Sequence, residues 1–278
     1  MDKLSNDSLF LSHETVEKAG LEVSVTTMSP LGGEHADSDA EIVAKTERCV
    51  VEAIVSGSAF YGITLTELPK VQIGNRAEFN RVYEHETKEW VVGAHTHTGF
   101  IFLDPRLYRN TAMDFGMIAQ TDHEFSESQY LRLVAHEVGH LYFSALMGTN
   151  EHGSEMFMRW LNEGCQQVAS GQVSDGRVSY EKFNADILDG RSANYFYHKS
   201  ATVVMRMVEV YGQKDFVEKL RVLLSRTGEA FIKQDNDQIA DPHKVFYDSF
   251  RELFGFELNK ENLENFVKTD RSPTPTAK

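Results

Sequence analysis

Three residues in one short stretch have the types and the spacing for metal chemistry. The run His136-Glu137-Val138-Gly139-His140 has the pattern H-E-x-x-H. On a helix, residues four apart lie on one face, so His136 and His140 can place two imidazoles on a single metal ion. Glu137 sits one position round from His136, beside such an ion and not on it. There a carboxylate can take a proton from a water held by the metal. The same pentapeptide would also fit a surface helix with two exposed histidines. The surroundings argue against that reading: Ala135, Val138 and Gly139 leave the helix apolar on both sides of the histidines, which suits a buried helix.

The elements that must position these residues can be read outward from them. Ser126 and Gln129 make a capping-box start, and Leu131, Val134, Val138, Leu141 and Leu146 form an apolar stripe. Gly148 gives the stop. A third ligand has to return to the level of the histidines. From His140 the helix climbs roughly 12 Å to Gly148, at about 1.5 Å per residue. Residues 148–153 are turn-like, and Ser154 can cap a second helix that ends at Gly171. Glu163 lies about nine residues into that helix, so an antiparallel hairpin brings it back by roughly 13 Å. Climb and return nearly cancel. Two histidines and one glutamate with one open position form a catalytic zinc set, so His136, His140 and Glu163 are expected to hold one Zn2+ per chain.

H-E-V-G-H followed at this distance by Trp160-Leu161-Asn162-Glu163-Gly164 resembles the gluzincin metallopeptidases of the peptidase MA-like superfamily, nearest their zinc aminopeptidase branch. The likeness is strong over about residues 126–171, weaker to about 255 and faint before residue 60. It implies that His136, His140 and Glu163 bind zinc and that Glu137 is the general base. It also implies an α+β, zincin-like, two-lobed fold: an α/β N-terminal lobe, a mostly helical C-terminal lobe and a cleft between them. The run Tyr197-His198-Lys199-Ser200 resembles a Tyr-x-Lys-Gly segment of the aminopeptidase branch, with serine in place of glycine. The resemblance makes Tyr197 a catalytic residue that donates its hydroxyl to the oxyanion; Tyr195 competes for that role, and either tyrosine could face the core. Residues 90–104 look like a hairpin or the edge strand that pairs with substrate. The aminopeptidase motif Gly-x-Met-Glu-Asn is missing there, which weakens the case for aminopeptidase action.

Several other residues near these motifs have two readings. His95 and His97 share a face if their stretch is extended, as a second metal site or as an ordinary loop pair. Asn162 either supports the site by a hydrogen bond or faces solvent. Cys165 lies on roughly the opposite side of its helix from Glu163 and is not a ligand. Gly164 permits close helix packing.

The rest of the chain bounds these expectations. Its 278 residues allow one large domain or two lobes with a substantial core. The predicted organisation is an N-terminal arm over 1–35, an α/β lobe over 36–125, a helical zinc-binding lobe over 126–269 and a disordered tail over 270–278. A formal charge of −14 disfavours nucleic acid as a partner. Cys49 and Cys165 cannot build a disulfide framework, which makes a reducing compartment the default. No apolar run approaches a membrane span, and Leu9-Phe10-Leu11 is too short for a signal-peptide core, so a cytoplasmic location is expected unless a leader was removed. Strands are predicted over 21–26 and 69–74. Helices are predicted over 38–56, 77–84 and 193–211, and helical patterning runs from Phe216 to Leu224 and from Val245 to Phe254.

The expected function is hydrolysis of peptide bonds in a peptide or protein substrate. Two other classes share the motif. One is a catalytically silent zinc protein that binds a peptide or protein partner. The intact Glu137 argues against it, since a binding module has no need of a general base. The other is a hydrolase of a non-peptide amide or epoxide.

Overall fold

The computed structural model describes residues 23–28, 38–65, 70–84, 86–87, 93–96, 99–103, 111–114, 117–120, 127–149, 155–172, 178–189 and 195–269. Ser126, Ser154, His97 and the tail 270–278, all singled out above, lie outside these residues.

Alternating side chains build the first sheet. β1 (Ser24–Thr27), β2 (Lys70–Gly74), β3 (Gly93–Thr96) and β4 (Gly99–Leu103) pair in the order β1-β2-β4-β3. β1, β2 and β4 run parallel, and β3 pairs antiparallel with β4 at the edge, His95 opposite Phe100. Val71, Ile73, Phe100 and Phe102 are buried at every second position, as strand geometry requires of a face turned to a core. β5 (Thr111–Asp114) and β6 (Met117–Gln120) form a separate antiparallel pair.

Helices make up most of the remainder, so the class is α+β with helix predominant. α1 (Asp39–Tyr61) starts from a reciprocal cap in which the Ser38 amide donates to the Glu41 carboxylate and the Glu41 amide to the Ser38 hydroxyl. It runs past the predicted end at 56 because Phe60 and Tyr61 are themselves core residues. α2 (Arg76–Tyr83) begins with the same device, Asn75 with Glu78. α3 (Glu127–Met147) carries the histidines, and Gly148 ends it with φ +72°. α4 (Met156–Ala169), α5 (Phe196–Tyr211), α6 (Gln213–Asp235), α7 (Pro242–Phe254) and α8 (Lys260–Lys268) follow. None of the described helices is long and apolar enough to cross a membrane.

Among the described residues the chain forms two compact units. The first holds the strands, α2, α1 as far as Ala59 and α3 as far as Gly139. Its sheet meets α3 through Phe102, edge-on to Tyr130, whose hydroxyl lies 2.9 Å from Thr46 Oγ1 of α1. The second unit holds the end of α1 from Phe60, α3 from His140, and α4 to α8. There Trp160 packs edge-on to Phe250, and Phe157 to Phe246. α4 and α5 approach so closely at Gly164 that a Cβ would stand 2.5 Å from the carbonyl oxygen of Ser200. Only glycine fits there, as the sequence suggested.

Candidate metal centre

His136 and His140 project from one face of α3, a turn apart, and α4 brings Glu163 to the same level. As many helical steps separate His140 from Met147 as separate Met156 from Glu163, so the hairpin returns to its starting height. One ligand atom from each of the three residues lies within 4.8 Å of the others. His136 and Glu163 are buried, and His140 is partly so.

The donor set can be tested for fit. His140 Nδ1 lies 3.0 Å from Asn162 Oδ1, so Nδ1 donates there, and in the neutral imidazole Nε2 would be left to offer a lone pair. Nε2 stands 3.8 Å from Glu163 Oε2. Tetrahedral ligands about 2.0–2.1 Å from a zinc ion stand roughly 3.3 Å apart, so the three side chains would draw together to seat one ion. The other oxygen of Glu163, Oε1, faces the Arg159 guanidinium at 3.4 Å, one turn earlier on α4. The two carboxylate oxygens are thereby divided between the metal position and a fixed cation. These residues could hold a metal ion.

Asn162 is in turn held from behind. Its Oδ1 accepts a second hydrogen bond, from Gln166 Nε2 at 2.8 Å, and Gln166 Oε1 accepts from the Tyr61 hydroxyl at 2.7 Å. Tyr61 and Gln166 are fully buried. Burial holds the Tyr61 phenol well above its ordinary range, so its proton stays on. Cys165, adjacent in sequence, is also fully buried, and its thiol is pushed far up by desolvation, unsuited to metal binding. No family model, curated protein or solved structure matches this chain.

Glu137 is partly buried on α3. Gly93 of the edge strand passes close to it: a Cβ there would stand 3.2 Å from Glu137 Cγ and 3.0 Å from the Phe102 ring. The Tyr83 phenol is pushed up to about 12, first by burial and then by the charge of Glu137. Tyr83 is thus a polar neighbour of Glu137 that the sequence reading did not single out, since it lies on a short helix with no motif of its own.

The two candidate tyrosines of α5 are placed differently. Tyr197 is in the first turn, partly buried, its ring edge-on to Phe196. Tyr195 precedes the helix in a left-handed conformation, φ +58°, and is 39% exposed. The start of α5 lies against the carboxylate-bearing helix, because Arg159 sits over the Phe196 ring. Lys199, part of the resembling segment, is a buried cation whose Nζ donates to both oxygens of Asp186 at 2.7 and 2.8 Å. His95 lies in β3, with Phe100 opposite it.

Proposed function

We propose that this chain is a zinc-dependent peptidase of the gluzincin type, built on a two-lobed zincin-like fold. The observation that carries the reading is the convergence of His136, His140 and Glu163 within 4.8 Å, with His140 Nδ1 already engaged by Asn162. That is a three-ligand set beside an acidic residue, Glu137, which is not needed for ligation. When bound, a zinc ion would supply Lewis acidity, lowering the pKa of a water towards about 7 and polarising a carbonyl.

The protein's own groups then have defined tasks. Glu137 takes the proton from the attacking water and delivers it to the leaving amine. Arg159 holds Glu163 by one oxygen and leaves the other to the metal. Tyr197 donates to the oxyanion, the role its place in the Tyr-x-Lys segment implies. The outer edge of β3 offers backbone groups to an extended peptide, and glycine at 93 lets that strand run close beside Glu137.

The test is zinc content of the purified full chain, with cleavage of a mixed peptide library before and after chelation. About one zinc per chain and cleavage that is lost on chelation and restored by zinc support the reading. A chain that takes up no zinc refutes it. Zinc uptake with peptide binding and no cleavage transfers the site to a silent peptide-binding protein.

A further inference from the structure

The buried chain of hydrogen bonds behind His140 has a direction, and the direction has a chemical consequence. Each amide in it can in principle be turned over. In one sense Tyr61 donates to Gln166, Gln166 to Asn162, and His140 Nδ1–H donates to the same Asn162 oxygen. In the opposite sense Gln166 donates to Tyr61, Asn162 donates to Gln166 and to His140 Nδ1, and the histidine proton is driven to Nε2. Only the first leaves a lone pair on the nitrogen that faces Glu163 Oε2 at 3.8 Å. Two features select it. The contacts of 2.7, 2.8 and 3.0 Å are all short enough to be real hydrogen bonds, so the amides turn together or not at all. At the far end stands a phenol that is 0% exposed, its ring stacked on Tyr142 at 5.3 Å and 7°. In the reversed sense its hydroxyl proton would be buried without its acceptor, Gln166 Oε1, which is costly.

We infer that Tyr61 and Gln166 are positioning residues that set the tautomer of His140, so that the last turn of α1 prepares a metal-binding nitrogen on α3. This rests on the zinc reading and deepens it, since neither residue touches the ligand set. Loss of such an outer partner typically weakens metal binding by about 10–100-fold. The chain also makes a counter-intuitive ordering. Gln166→Glu keeps size but cannot donate to Asn162, so it favours the reversed sense. Gln166→Met is a larger chemical change, yet it enforces neither sense.

The experiment is long-range 1H–15N NMR of the metal-free full chain, above the histidine titration range, with His140 assigned by loss of its signal in His140→Asn. Zinc affinity is measured on the same proteins. In the wild type His140 should be protonated at Nδ1. Gln166→Glu should move the proton to Nε2 and weaken zinc by about 10-fold or more. Tyr61→Phe and Gln166→Met should give a mixture of tautomers and smaller losses. If Gln166→Glu does not fold, these two decide the matter alone. A pure Nδ1–H tautomer in the folded variants, or zinc affinity unchanged where the tautomer has moved, overturns the inference. Because the tautomer is read without metal, a wild type that fails to bind zinc refutes the zinc reading separately.

Discussion

Among the described residues, the Lys199–Asp186 pair and the His136–His140–Glu163 group bring polar side chains together in different ways. At Lys199 and Asp186 a cation meets an anion, and the ammonium donates to both carboxylate oxygens at 2.7 and 2.8 Å. Donor and acceptor match, and the charges cancel. At His136, His140 and Glu163 one ligand atom from each residue lies within 4.8 Å of the others, and Glu163 also faces Arg159 at 3.4 Å. When His140 is neutral and carries its proton on Nδ1, its Nε2 and the Glu163 carboxylate are both acceptors, an arrangement that a shared cation would match. Under the proposed function the first cluster serves the fold and the second a bound cation.

The largest effect is expected at the candidate metal ligands. His140→Ala should reduce zinc affinity by orders of magnitude, because two remaining ligands cannot satisfy the ion, while circular dichroism stays that of the parent. Unchanged zinc stoichiometry in that variant would mean that the trio is only another polar contact. Next in size is Tyr197→Phe. Turnover should fall on the order of a hundredfold with zinc content intact, if one oxyanion donor is removed. Full activity there, with loss in Tyr195→Phe, would move the role to the exposed tyrosine.

The matched cluster should answer in the other currency. Lys199→Met leaves Asp186 without its ammonium, and since the Asp186 side chain is 31% exposed it can partly rehydrate. The expected cost is about 2 kcal/mol of stability by denaturant unfolding, with zinc stoichiometry unchanged. A loss of zinc with no loss of stability would contradict the division drawn between the clusters.

Much of the candidate metal site could be read from local spacing, because its parts are local. The i, i+4 histidines, the stop at Gly148 and the distance to Glu163 fix a helical hairpin, and the support of His140 by Asn162 lies one position from the ligand. The stretch 90–104, expected as a hairpin or an edge strand, contains the antiparallel pair β3–β4, with β3 last in the sheet order among the described residues. What was not legible is what depends on distant partners. Tyr61 reaches Gln166 across 105 positions, and nothing in the periodicity of α1 separates that tyrosine from any other core aromatic. Lys199 was read through its neighbours in the Tyr-x-Lys segment, and its partner Asp186 lies on a short 3-10 turn with no periodic signature. On α5 no single apolar stripe marks the inward side. Ser200–Val204, Arg206 and Met207 are buried, because that helix is packed on several sides. The β5–β6 pair and α8 are too short for their patterns to stand out.

The most direct measurement concerns Glu137, the residue that separates a hydrolase from a metal-bearing scaffold. Glutamine keeps its size and hydrogen-bonding shape but removes the basic oxygen pair. Zinc stoichiometry, peptide binding and cleavage rate should be measured on one preparation of wild type and one of Glu137→Gln. The account predicts equal zinc, similar peptide affinity and a loss of cleavage of roughly a thousandfold, since proton removal and proton delivery fail together. Cleavage by Glu137→Gln at the wild-type rate, or no cleavage by zinc-loaded wild type that binds peptides as tightly as the variant, would contradict it.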